Sequence, residues 1–387
     1  MKIGINALFF RFPSTGTGQY MAHLLDALAE IDRSNEYILL APDPLPAQSS
    51  LHPGFAYRQS PVPALARRNL QLEKLAWEQY TAPGAARKER VDLFHVPYFA
   101  PPYFSRTPGI VTIHDVIPLR LPIYVSKGTM RAYMGLVSRA AHKATLVITV
   151  SQHAKQDIMD VLHLPAERIR VIYEAAGEHF APVTDRETLA RARARYGVGE
   201  RYLFYLGGLE LRKNVPQLVR AFAHVYQQLG DPNLQLLIAG NPDKKSGPLF
   251  PDPRPVAADL GMSGQIIYRY IEEEDKPAMY SGASAFVFPS MYEGFGLDPL
   301  EAMSCGAPVV CSNRTSLPEV VGDAALLFDP DNTGQLVKAM RDVLTNDELA
   351  ADLRARSLRR AAQFSWHKTA RETLAVYEEA YARSRKR

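Results

Sequence analysis

The chain has 387 residues, 47% of them hydrophobic and 22% charged. A single core stops growing at about 250–300 residues, so two domains are expected, and this apolar fraction excludes intrinsic disorder. The net charge of +4 permits an anionic ligand without requiring one, no run approaches the ~20 apolar residues of a membrane span, and two cysteines exclude a disulfide scaffold or a cysteine zinc site.

Lys2–Leu8 is the first expected strand. It is apolar, but Arg11 and Pro13 interrupt it too soon for a signal peptide. With so few cysteines, that start points to the cytoplasm. A loop containing Gly16-Thr17-Gly18 follows, then a helix from about Gln19 to Glu30 with Met21, Leu24, Leu25 and Leu28 at helical spacing. Tyr37–Ala41, Val91–His95, Gly109–His114 and Leu146–Val150 are further short apolar runs. Runs without alternation suit strands buried on both faces of a parallel sheet.

The second half repeats the scheme. Tyr202–Leu206 is a strand, and Asn214 is expected to cap a helix over Val215–Leu229. Leu218, Val219, Phe222, Val225, Tyr226 and Leu229 form its apolar face. Leu234–Ala239, Gln265–Ile271, Ala283–Phe288, Pro308–Cys311 and Ala325–Phe328 complete the strands, and Asn241–Pro255 reads as a long surface loop. Alternating βαβ units mean doubly wound α/β sheets, here two in series. The expected domains are 1–180 and 181–364, with a helix over 365–387 crossing back to the first. The junction holds an arginine-rich helix, Arg186–Tyr196, and the C-terminus a basic run, Arg383–Arg387. Ligands of such sheets bind beyond the carboxyl ends of the strands, so a cleft between two facing domains is the place to look.

The most informative segment is Pro289-Ser290-Met291-Tyr292-Glu293-Gly294-Phe295-Gly296-Leu297-Asp298-Pro299-Leu300-Glu301-Ala302-Met303-Ser304-Cys305-Gly306. A buried strand runs into a glycine loop and a short helix; Pro299 suits its first turn and Gly306 its stop. Backbone N–H groups at Gly294–Leu297 then form an anion site at a helix N-terminus. Glu293 and Glu301 beside it suit hydroxyl recognition, since each carboxylate accepts several hydrogen bonds. The competing reading is a capping box, Asp298-x-x-Glu301, in which Glu301 serves only the helix start.

These residues, continuing through Pro308-Val309-Val310, resemble the signature of the retaining glycosyltransferases of family 4. The resemblance extends along nearly the whole chain. It implies a GT-B fold, two Rossmann-like domains with a nucleotide sugar in the cleft, and no metal or other cofactor. It implies that Glu293 contacts the donor sugar, that Glu301 holds the ribose, and that Gly294, Phe295, Gly296 and Leu297 meet the diphosphate or sugar. Asp298 stands where the family often has proline or a small residue. An aspartate suits capping, so little consequence is expected.

A second segment, Leu206-Gly207-Gly208-Leu209-Glu210-Leu211-Arg212-Lys213-Asn214, follows the first strand of the second half. Arginine as a fork and lysine as a point charge suit a diphosphate; a solvated helix-start pair is the alternative. The family often has arginine in this glycine turn, where Gly208 stands. Lys213 keeps the following lysine, and Arg212 substitutes for the missing cation. The form Leu-Glu-x-Arg-Lys-Asn resembles a bacterial mannosyltransferase subgroup of polysaccharide assembly, implying mannose from GDP-mannose. By the same resemblance Gly16 and Gly18 are donor-binding, and His114 in Thr112-Ile113-His114-Asp115 lies near the reacting centre, although a lone histidine is more often structural. Ile271 joins the donor-binding candidates. Ser151 reads as an N-cap, Glu174 as a possible cleft residue, and Asp329-Pro330-Asp331 as a turn rather than a metal site.

Arg67, Arg68, Lys74, Arg87, Lys88 and Arg90 accompany Leu65, Leu70, Leu72, Leu75 and Trp77. This is either a solvated face or a surface for a membrane or an anionic lipid-linked acceptor. The expected activity is transfer of a hexose from a nucleotide sugar to a saccharide or lipid-linked saccharide, with possible peripheral membrane contact. A GT-B epimerase or phosphorylase, a nicotinamide dehydrogenase and a two-domain sugar-binding protein are the alternatives. The dehydrogenase lacks its third glycine after Gly16-Thr17-Gly18. Nucleic-acid binding has no motif to support it.

Overall fold

The computed structural model describes residues 1–13, 15–45, 51–243 and 247–385. They form two units, one of Met1–Glu174 with the segment from Trp366 onward, the other of Ala175–Ser365. Part of the Asn241–Pro255 loop and the last two residues of the basic run Arg383–Arg387 lie outside the described residues.

In unit 1, seven strands form one sheet: β1 (Lys2–Asn6), β2 (Glu36–Ala41), β3 (Phe55–Gln59), β4 (Leu93–Val96), β5 (Gly109–Thr112), β6 (Leu146–Thr149) and β7 (Ile169–Val171). Their order is β3-β2-β1-β4-β5-β6-β7 and every pairing is parallel. Six helices connect them: α1 (Gly16–Ile31), α2 (Leu70–Ala76), α3 (Ala82–Lys88), α4 (Ile117–Arg120), α5 (Gly128–Ala141) and α6 (Gln152–Leu162). The central strands β4 and β6 are buried throughout, which is why they read as unbroken apolar runs. Neither β3 nor β7 was visible in the sequence pattern. β3 is a half-exposed edge strand carrying Arg58 and Gln59, and β7 is three residues with Arg170 in the middle.

Gly16 and Gly18 do not form the expected loop. They lie in the first turn of α1, which starts three residues earlier than the apolar periodicity suggests. Thr15 is the reason: its hydroxyl accepts from Gly18 N at 3.1 Å and its carbonyl from Gln19 N at 2.9 Å. A side chain at Gly18 would run into the Phe12 carbonyl, so glycine here permits a close backbone crossing.

Unit 2 contains β8 (Tyr202–Leu206), β9 (Gln235–Ala239), β10 (Ile266–Arg269), β11 (Ala285–Phe288), β12 (Val309–Ser312) and β13 (Ala325–Phe328). The order is β10-β9-β8-β11-β12-β13, again all parallel. Its helices are α7 (Arg186–Tyr196), α8 (Val215–Leu229), α9 (Arg254–Asp259), α10 (Lys276–Gly282), α11 (Leu297–Ser304), α12 (Leu317–Val321), α13 (Thr333–Thr345) and α14 (Asp347–Ala361). Asn214 does sit at the N-cap position of α8, but its side chain does not cap. Its backbone is left-handed (φ 57°), which turns the amide away toward the Pro330 carbonyl at 3.4 Å. In each sheet the order reverses beside its first strand, between β1 and β4 and between β8 and β11. The carboxyl ends there flank a crevice, the usual ligand position of this architecture.

The last helix, α15 (Trp366–Ser384), packs in unit 1. Trp366 lies against Tyr20 and stacks on His23 of α1, with ring centroids 5.8 and 5.2 Å apart. Arg170 of β7 grips Glu379, and Thr369 donates to the Tyr173 carbonyl at 2.6 Å. Tyr377 reaches the core, its hydroxyl 2.8 Å from His95 Nδ1, while His95 Nε2 lies 2.8 Å from the Thr112 hydroxyl. Burial pushes His95 down to about 3, so the ring is neutral and needs one donor and one acceptor; the two hydroxyls supply them. Tyr377→Phe leaves a ring nitrogen of His95 unpaired and is expected to cost about 1–3 kcal/mol, read as a lower Tm in calorimetry.

Candidate active site

The crevice of unit 2 is built by two loops. The first follows β8, where Leu211–Lys213 form a single 3-10 turn after Gly207 and Gly208. The second follows β11 and runs from Pro289 to the start of α11. One carboxylate joins them. Glu293 accepts from Arg212 Nη1 at 2.7 Å, from Lys213 Nζ at 2.8 Å and from the Ser290 hydroxyl at 2.6 Å. Backbone bonds reinforce the junction, from Met291 N to the Arg212 carbonyl (2.7 Å) and from Glu293 N to the Thr315 hydroxyl (3.0 Å). Burial by itself raises the Glu293 carboxyl, but Lys213 and Arg212 outweigh it and hold it below the usual range, so it is ionised.

Two more carboxylates balance the cations. Glu210 takes Arg212 Nε at 2.9 Å, and Asp298 lies 3.3 Å from Lys213 Nζ. Lys213 also sits over the Phe288 ring, 4.6 Å from its centroid. Both cations are largely buried, so neither is the solvated helix-start residue of the alternative reading.

The helix start behaves differently from the capping box. Gly296 is the N-cap of α11, with φ 134° and no room for a side chain beside Leu317. Asp298 is already inside the helix, too late to cap, and turns to Lys213; the expectation that it is of little consequence is corrected on that geometry. Glu301 does not return to the helix start either. It accepts from the Tyr280 hydroxyl at 3.2 Å. Tyr280 is fixed by edge contacts to Phe204 and Phe286, both at 5.2 Å. Burial, reinforced by the charge of Asp298 and partly relieved by Lys276, keeps the Glu301 carboxyl well above its usual range. Two nearby carboxyls thus differ in protonation: Glu293 is charged, and Glu301 holds its proton until a ligand or base takes it.

Gly208, Gly294, Phe295, Gly296, Leu297 and Glu301 all lie on these two loops or the helix they lead into. Ile271 does not: it is buried two residues beyond β10, at the far edge of the sheet. Gly16, Gly18 and His114 belong to unit 1. There His114 Nδ1 lies 2.9 Å from the Glu174 carboxylate and Nε2 lies 3.1 Å from the Pro97 carbonyl. Both partners accept, so the ring is satisfied only as the imidazolium. Burial opposes that charge, but Glu174 and Pro97 prevail and the value is raised. Tyr20 packs edge-on against the ring at 4.7 Å. Asp115 makes a turn with Ile117 N (2.9 Å), and Ser151 caps α6 through Ala154 N (2.9 Å). Asp329 and Asp331 both go to Arg314, at 2.8 and 2.7 Å. Among the described residues no group of three or more His, Cys, Asp or Glu is placed to hold a metal.

Sequence reasoning missed Ser290, Tyr280, Lys276, Glu210 and Thr315. Ser290 and Glu210 flank residues that were singled out; Tyr280 and Lys276 come from α10, and their relation to Glu301 exists only in three dimensions.

Known proteins share these features. Residues 14–175 match the family model described as Glycosyltransferase Family 4, and residues 187–360 match Glycosyl transferases group 1. The chain is 31% identical to the O-antigen chain mannosyltransferase B of Escherichia coli over 98% of this chain and 100% of that protein. It is 30% identical to the serotype-specific mannosyltransferase WbdA of E. coli over 67% of this chain, but spans only 32% of WbdA. Among solved structures it resembles sucrose-phosphate synthase of Thermosynechococcus elongatus, with a TM-score of 0.77, 21% identity and 99% of each chain covered. Anabaena HepE in complex with UDP and glucose gives 0.73 at 18% identity, covering 98% of this chain and 100% of that one.

The His114 pair sets a pH signature. A histidine whose folded value is raised stabilises fully below its ordinary 6.5 and loses that contribution as pH rises through the folded value. In an NMR titration His114 is expected to titrate above 6.5. In Glu174→Gln the burial remains and the charge is gone, so it is expected below 6.5.

Proposed function

The chain belongs to glycosyltransferase family 4 and is a hexosyltransferase of GT-B fold, and we propose that it transfers mannose from GDP-mannose, with retention, to a saccharide or lipid-linked saccharide. The observation that carries this reading is the paired grip of Glu293 on Arg212 and Lys213 beside the N-terminus of α11. That arrangement sets two cations and a helix dipole where a nucleoside diphosphate leaves. The mannosyl specificity rests on the O-antigen chain mannosyltransferase B of E. coli, with which the chain aligns end to end.

In this reading unit 2 binds the donor. The diphosphate oxygens exchange with the carboxylates now on Arg212 and Lys213, and the N–H groups around Gly296 add their dipoles. Negative charge on the leaving diphosphate is then met by groups already in place, with no reorganisation during the reaction. Glu293 orients the sugar hydroxyls. Glu301 receives the ribose hydroxyls, and Gly208 leaves the phosphates room to approach. Unit 1 takes the acceptor, with imidazolium His114 held rigid by Glu174 and Pro97. A doubly engaged imidazolium has no lone pair and is no general base; it acts as a positioning cation. The leaving phosphate serves as the base toward the acceptor hydroxyl, and no metal takes part. No described helix is long and apolar enough to cross a membrane. We place the protein in the cytoplasm, peripheral to the inner face of the membrane when its acceptor is lipid-linked.

Transfer is measured with GDP-mannose, UDP-glucose and dTDP-rhamnose against mannose-containing acceptors. GDP-mannose is expected to be used fastest and only with acceptor; product without acceptor, or with phosphate alone, would instead mark an epimerase or phosphorylase. Lys213→Ala is expected to lower kcat by about 10²–10³-fold with the fold retained, and Lys213→Arg to recover part of it. Glu301→Ala weakens GDP binding in calorimetry, and a chelator leaves turnover unchanged.

A further inference from the structure

Unit 1 carries large apolar side chains in water where a solvated helix would place polar ones. Leu65 is 73% exposed, Leu70 79%, Leu72 54% and Phe12 51%. Scattered exposed leucines are ordinary, but these lie together on one short stretch and its neighbour. Between residues 8–12 and α2 there is also a slot of about 270 Å³. Leu8, Phe9, Phe12, Leu70, Trp77 and the stem of Lys74 line it. Arg11 closes one wall and is held there by Asp43 and Glu73.

Charge follows the same pattern. Residues 60–72 contain Arg67 and Arg68 and no acid. Residues 117–141 contain Arg120, Lys127, Arg131 and Arg139, again with no acid, and expose Ile123 and Met130. The two stretches are neighbours: Lys74 lies over the Tyr133 ring of α5 at 5.1 Å, and the Tyr133 hydroxyl donates to buried Glu78 at 2.9 Å. Glu73 and Glu78, the carboxylates nearest, are engaged by Arg11, and by Lys74 and Tyr133. The outward charge is therefore positive.

Apolar side chains interleaved with unopposed cations match the interfacial zone of a bilayer with anionic headgroups. We propose that this face of unit 1 docks on an anionic lipid surface and that the slot between residues 8–12 and α2 takes one apolar chain of a lipid. This rests on the reading that the acceptor is lipid-linked and names the surface that meets its membrane. The cations meet headgroups, Leu65, Leu70 and Leu72 enter the acyl boundary, and the slot shelters a chain against Trp77.

Flotation of the full chain with vesicles of phosphatidylcholine plus phosphatidylglycerol tests the docking. Wild type is expected to float with these vesicles and to lose most of that binding with phosphatidylcholine alone or in high salt. Arg67→Ser with Arg68→Ser is expected to weaken binding to the anionic vesicles about thirtyfold. Phe12→Ser with Leu70→Glu costs about tenfold or more. All four residues are away from the core, and Tm is checked to confirm the fold. The chain has two tryptophans. With Trp366→Phe, quenching of Trp77 emission by vesicles of brominated-chain phosphatidylglycerol reports filling of the slot. Absence of quenching, undiminished binding in the Phe12/Leu70 variant, or a concentration-dependent dimer with no vesicle affinity each overturns the proposal. Transfer to a water-soluble acceptor is expected to be unchanged in these variants. Its absence in wild type alongside vesicle binding would remove the mannosyl reading and leave the docking surface standing.

Discussion

The grip of Glu293 on Arg212 and Lys213 is the interaction on which the rest of unit 2 depends. Two adjacent cations with little solvent repel each other and each carries a large desolvation penalty. A single carboxylate that pairs with both removes the repulsion and ties the loop after β8 to the loop after β11, across the point where the strand order reverses. Everything that surrounds it is subordinate. Ser290 satisfies Glu293 from below, and Ser316 holds its backbone carbonyl at 3.0 Å. Asp298 and Glu210 take the remaining donors of the cations. The result is a site assembled at full charge before a ligand arrives, which electrostatic catalysis requires.

Asp298 is the residue where this chain departs most tellingly from its family pattern. It adds a second carboxylate to Lys213, so an incoming diphosphate must compete for a lysine already paired. Burial, followed by the competing pulls of Lys213 and Glu293, leaves Asp298 raised. That weakens its claim on the lysine relative to Glu293. The neighbouring Glu301 is raised further, because an ionised Asp298 and a buried surround both disfavour its charge. One short helix therefore carries carboxyls with graded acidity, set by distance from the cations.

Unit 1 divides its two buried histidines by partner chemistry. His95 faces two hydroxyls and stays neutral; His114 faces a carboxylate and a carbonyl and takes the charge. The first seals α15 to the sheet through Tyr377. The second is held rigid beside Tyr20, whose helix also bears Trp366. The C-terminal helix thereby fixes both the core and the surroundings of His114, although it lies far away in sequence.

Fully buried strands were legible because burial on both faces demands an unbroken apolar run, which β4, β6, β8 and β11 show. The edge strand β3 and the three-residue β7 were not, because each is exposed or interrupted by arginine and is held by pairing alone. The segment from Glu293 to Glu301 was legible because a proline, two glycines and two carboxylates at that spacing constrain a loop and helix locally. The sequence by itself determined two parallel α/β units, their boundary near the arginine-rich helix, and which loops carry the cations and carboxylates. Only the tertiary structure decided that Glu293 serves both cations, that Asp298 turns to Lys213 rather than capping, that Gly18 belongs to a helix, and that Glu174 charges His114. Those outcomes depend on side chains tens to hundreds of residues apart meeting under low solvent exposure, where a few ångströms settle protonation and partner.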